Sequence, residues 1–152
     1  MKQIIKLTAS AKNALETNPF IRTSNETGEY RLRGEHITLS KTEDSEDDGS
    51  TFHIYLIEAK TEYQVDLMLK SILVNILHET TRNLGDGDYY DNVPALIHEA
   101  LQFIHKLINL GCAIDFDLLN MLWTPILQTY GQDEETAYDF PEKLDLDYIQ
   151  SI

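Results

Sequence analysis

The chain has 152 residues, 42% of them hydrophobic, including one Trp, eight Tyr and five Phe. That is enough to bury a core as a single domain without disulfides or metals, and too apolar for a disordered chain. Twelve Lys and Arg face 26 Asp and Glu, a net charge of −14, and such a field repels nucleic acid and anionic membrane while attracting basic surfaces.

The charge is uneven. Residues 1–40 hold six basic and four acidic residues, a net of +2, whereas residues 41–152 hold six against 22, a net of −16. Solubility is the plain alternative reading of that excess. The lone Cys112 excludes an intrachain disulfide and a cysteine-cluster metal site. No run approaches the roughly 18 uncharged apolar residues of a membrane span. Lys6 and Thr8 interrupt the opening residues before a secretory apolar core can form. A cytoplasmic location is the expectation.

Residues 3–7 read as a short strand. Thr8 then opens a helix through Ala9, Ala11, Ala14 and Leu15, which ends before Asn18-Pro19 because a residue preceding proline disfavours the helical region. The opening IIKLTASAKNALE resembles, over about a dozen residues, the start of an iron–sulfur carrier family. That family's ligating cysteines have no counterpart here, so no cofactor is carried over.

From Gly28 the apolar period is two. Tyr30 and Leu32, then Ile37 and Leu39, alternate with polar residues around Gly34, which predicts a hairpin with one wet face. The next run, TFHIYLIEA, is apolar on both faces and should be a central strand. KTEDSEDDGS between them carries five acids and one lysine without periodicity, and reads as a solvated loop over 41–50.

A long helix follows from Thr61 to Leu84, about 34 Å at roughly 1.5 Å per residue. TEYQ at its start is a capping-box pattern, and Val65, Met68, Leu69, Ile72 and Ile76 form one apolar face. Gly85 is the expected left-handed stop. GDGDYYDN reads as an interhelical turn rather than a calcium loop, since Tyr90 stands where the fifth-position ligand belongs. A second helix begins near Val93 with Pro94 in its first turn and ends at Gly111. A third begins near Asp115; Pro125 should kink or split it, and Gly131 should close it. The last stretch interleaves seven acids and one lysine with Tyr138, Phe140, Tyr148 and Ile149. Tyr138 and Phe140 are expected to pack, with Tyr148 to Ile152 free.

Motifs for chemistry are sparse. His98 and His105 are seven residues apart, whereas a helical zinc pair needs a spacing of four. Cys112 follows a helix-ending glycine and reads as a small buried residue. No nucleophile elbow, phosphate loop or dinucleotide fingerprint occurs in the sequence. No catalytic, cofactor or metal residues are assigned, which weighs against an enzyme.

The expected fold is therefore α+β: a small antiparallel sheet of three or four strands from the N-terminal half, packed against three helices from the C-terminal half. It is read as one domain over 1–152, with an acidic loop at 41–50 and an acidic-aromatic tail at 132–152. The expected function is a non-catalytic, acidic protein-binding module that inhibits or escorts a basic partner, a nucleic-acid-binding one included. Immunity proteins and nucleic-acid-mimicking inhibitors share this acidic profile, an analogy of composition alone. Its partner-binding residues are Glu43, Asp44, Glu46, Asp47, Asp48, Asp133, Glu134, Glu135, Asp139 and Tyr148, with no direct contact to nucleic acid or membrane. The alternative is an assembly subunit of an oligomer or phage particle.

Overall fold

The computed structural model describes residues 1–15, 21–23, 30–32, 37–47, 50–133 and 140–152. The fold is α+β, with the strands in the N-terminal half and most helices in the C-terminal half. The chain forms two compact units, Met1–Ile76 and Leu77–Ile152. Among the described residues no helix is long and apolar enough to cross a membrane.

In the first unit, β1 (Lys2–Thr8), β2 (Ile21–Thr23), β3 (Tyr30–Leu32), β4 (Thr38–Asp47) and β5 (Ser50–Glu58) form an antiparallel sheet in the order β1-β5-β4-β3-β2. β5 is an interior strand, as its apolar run predicts. Its two faces differ: Tyr55 and Ile57 are fully buried, whereas Phe52, Ile54 and Leu56 are half-buried. The buried face continues through Ile5 and Leu7 of β1 and Leu39 of β4, and Tyr30 meets Tyr55 edge-on at 6.3 Å. On the opposite face the Lys6 amine stands 4.1 Å above the Phe52 ring. The helix α1 (Ala9–Leu15) is capped by Thr8, whose hydroxyl accepts from the Ala11 N–H at 3.2 Å.

One expectation is overturned here. Residues 41–47 are not a loop: β4 runs on to Asp47, paired with β5 as far as Asp47↔Ser50. The alternation vanishes in the sequence because a bulge separates Lys41 and Glu43, and a bulge shifts the phase of every residue after it. Residues 41–44 and 46 are also exposed, so no apolar side chain marks either face. Asp48 lies outside the described residues.

α2 (Glu62–Leu84) begins with the predicted capping box. Thr61 Oγ1 accepts from the Gln64 N–H at 3.2 Å, while Gln64 Oε1 accepts from the N–H groups of Thr61 and Lys60. Its apolar face, including Met68, Leu69, Ile72 and Ile76, is buried. Asn75 is buried beside them at 1% exposure, and among the described residues neither of its amide atoms meets a hydrogen-bond partner. The helix does not end in a left-handed glycine, since among the described glycines only Gly111 has a positive φ. Instead the Gly85 and Asp86 N–H groups bond to the carbonyls of Arg82 and Asn83, a tightened last turn that takes up two end carbonyls without a left-handed residue.

The second unit holds a 3-10 turn at Tyr90–Asn92, α3 (Val93–Asn109), α4 (Phe116–Asp133) and α5 (Leu146–Ser151). α3 starts with Pro94 in its first turn and ends in a Schellman motif. Gly111, at φ 83°, donates to Ile108 O, and Cys112 to Leu107 O. α4 is capped by Asp115, whose carboxylate accepts from the Leu118 N–H at 3.1 Å. Pro125 does not split it, and Gly131 does not close it. Proline removes only the donor to Met121 O, and Met121 is exposed enough for water to replace it.

The tail departs most from expectation. Tyr148–Ile152 are not free: α5 forms, Asp145 caps it by accepting from the Tyr148 N–H at 2.8 Å, and Ile149 is fully buried. Tyr138 lies outside the described residues, while Phe140 packs among aromatic rings.

Two measurements follow from this packing. Asn75→Leu keeps the branched shape and removes an unpartnered buried amide, which costs about 1–3 kcal/mol. Melting should rise by a few degrees; a fall would mean the amide is satisfied. Cutting the chain after Lys143 removes Leu144 and Ile149, both fully buried. Each such loss costs about 2–5 kcal/mol, so a circular-dichroism melt should drop by several degrees or more. An unchanged melt would show that α5 contributes nothing to the fold.

Candidate functional site

The predicted binding residues fall in two places, one in each unit. In the first unit, Glu43, Asp44 and Glu46 are exposed on β4, and Asp47 is its last residue. The bulge decides how they face. Before it, Leu39 and Lys41 pair with Ile57 and Tyr55; after it, Asp44 pairs with His53. Asp44 therefore shares a face with Lys41 and His53, and Glu43, paired with Ile54, turns to the other side. The His53 Nδ1–H donates to Asp44 Oδ1 at 2.8 Å, and the Lys41 amine reaches the same oxygen at 3.3 Å. The hydrogen bonds from His53 and then Lys41 hold the Asp44 carboxyl below its ordinary value. Asp44 is thus held within a local polar cluster, while Glu43 and Glu46 point their charge at solvent.

Among the described residues, β3 pairs with β4 only through Thr38 and Leu39. Beyond Leu39 the outer edge of β4 has no described neighbour. Acidic side chains there also discourage edge-to-edge pairing with another copy, which is the structural reason such an edge carries charge.

In the second unit, Tyr148 belongs to a groove of about 390 Å³ formed by α3, the end of α4 and the tail. Pro94, His98, Leu101 and Gln102 supply the α3 wall; Tyr130, Phe140, Tyr148 and Ile152 supply the rest. Phe140 is the hub, with the rings of His98, Trp123 and Tyr130 at 5.1, 6.4 and 6.4 Å. Three side-chain hydrogen bonds fasten the tail to α4. Asn120 accepts from the Leu144 N–H and donates to its carbonyl, both at 2.8 Å, and the Trp123 Nε1–H donates to Pro141 O at 2.9 Å. Burial raises the Tyr148 phenol above its ordinary value.

Of the other tail residues, Asp133 ends α4, and Glu134, Glu135 and Asp139 lie outside the described residues. Among the described residues no group of three or more His, Cys, Asp or Glu could hold a metal ion. His105 Nδ1 instead meets the Asn109 amide at 3.3 Å, and Cys112 is buried.

Sequence reasoning missed His53 and Lys41 as partners of Asp44, and it missed the groove residues Pro94, Gln102 and Tyr130. The spacing of Pro94, His98 and Gln102, four residues apart on one side of α3, was the available signal.

Because Asp44 is depressed in the folded chain, its small contribution is present at neutral pH and fades as pH falls through its folded value. In an NMR titration its carboxyl should protonate below the ordinary aspartate value of 3.8, and His53→Ala should bring it back up. A midpoint that ignores His53→Ala would remove the bond from the account.

No family model, no curated protein and no solved structure matches this chain.

Proposed function

We propose that the protein is a non-catalytic, acidic binding module that inhibits or escorts a partner with a basic surface. The charge supports this reading once it is divided between the units. Residues 1–76 hold 12 acidic and nine basic residues, a net of −3, and residues 77–152 hold 14 against three, a net of −11. The observation that carries the reading is that this strongly acidic unit also contains an aromatic groove. Solubility calls for charge but not for a groove. Association with a basic surface uses both: charge sets the encounter rate, and a buried anchor slows release.

The test is capture on the immobilised full chain from the source cells, at about 50 mM and about 500 mM salt, because screening shortens the reach of exposed charges. Basic proteins should be retained at low salt and released at high salt. The combined variant Glu43→Gln, Asp44→Asn, Glu46→Gln should melt within about 0.5 kcal/mol per site of the parent, yet associate more slowly with whatever is retained. Retention indifferent to salt, or an unchanged on-rate, would count against the reading.

A second reading, an assembly subunit, is favoured by the outer face of α4, where Leu118 and Met121 are 56% and 72% exposed. Mass in solution separates the two: a monomer favours the binding module, and a ring or larger oligomer favours assembly.

A further inference from the structure

We propose that the groove of the second unit seats one basic side chain, an arginine or a lysine, projecting from the partner's surface. The inference rests on the binding-module reading and names the contact that such a partner would make. Three features of the groove select for this occupant. Its lining is aromatic: the half-buried Phe140 and Tyr148 stand over the buried Tyr130, aromatic rings attract cations, and Leu101 adds an apolar surface for the alkyl stem. Its size, about 390 Å³, stands at the small end of the roughly 300–1,000 Å³ of ligand pockets, right for one side chain and tight for a larger ligand. Its surroundings are anionic: residues 77–152 carry a net charge of −11, no Lys or Arg is among the described residues that line the groove, and the exposed Asp147 directly precedes Tyr148 in the chain. Gln102, exposed at the rim, supplies a neutral amide carbonyl as a further acceptor.

The complementarity is thus of two kinds in one place. An uncharged apolar side chain would fill the aromatic volume and ignore the field. A bare inorganic cation would respond to the field and find no ligand set. A long cationic side chain uses both.

The test is an NMR titration of the isotopically labelled full chain with N-acetylarginine methylamide, alongside its citrulline counterpart, which keeps the shape and lacks the charge. Amide signals of His98, Gln102 and Tyr148 should move with the arginine probe and respond about tenfold more weakly to citrulline, the ratio expected of a partly desolvated cation over aromatic faces. Gln102→Lys places a competing cation at an exposed position, so it should abolish the response without altering the melt. Tyr148→Leu should weaken it while leaving the groove closed on that side. Equal responses to the two probes, movement confined to Glu43–Glu46, or a Gln102→Lys variant that still responds would each overturn the proposal. The two readings fail separately. A silent groove beside salt-sensitive capture of a basic protein removes the groove and keeps the binding module. If capture is also indifferent to salt, both fall.

Discussion

Two-sided pairing of β5 is the constraint on which the first unit depends. With β1 on one edge and β4 on the other, β5 cannot slip by one residue without turning Tyr55 and Ile57 outward and Ile54 and Leu56 inward. Both neighbours would lose their register together. That rigidity lets the sheet tolerate a bulge. The extra residue in β4 is absorbed while β5 keeps an unbroken register against β1, and all residues of β4 beyond it change phase. A local irregularity thereby selects which acids join His53 and Lys41 and which stand alone in solvent.

The second unit depends on a different device. Its tail is held by a side-chain amide that satisfies a backbone segment with no helix or ladder of its own. Asn120 serves the N–H and the carbonyl of Leu144 at once, imitating one rung of a sheet from the flank of a helix. Buried polar atoms placed this way fix one arrangement, because the alternatives leave them unpaired. Asn75 in α2 is the contrast: the same residue type, buried as deeply as its apolar neighbours, with neither amide atom partnered among the described residues.

How much of this was legible follows from the physics of each signal. The caps at Thr8, Thr61 and Asp115 and the glycine stop at Gly111 are local chemistry, complete within four or five residues, and each could be read directly. The apolar faces of α2 and α3 were equally plain, because burial repeats with the helical period. The end of α2 was misassigned in mechanism, since glycine permits a left-handed turn without requiring one. β4 beyond Lys41 was hidden because a bulged strand with polar residues on both faces has no pattern to find. The groove was hidden for a further reason. It joins α3 residues to Phe140 and Tyr148, some 40 positions apart in the chain, through bonds from Asn120 and Trp123 that no spacing rule encodes.

The bond between Trp123 and Pro141 has a practical side. Trp123 is the only tryptophan in the chain, it is fully buried, and its indole N–H is tied to the tail's backbone. Its emission therefore responds to the docking of residues 140–152, undiluted by any second tryptophan. Undocking would expose the ring and replace its carbonyl partner by water, shifting the emission to the red. The protein carries an optical reporter of its own tail, placed one ring away from the groove through Phe140.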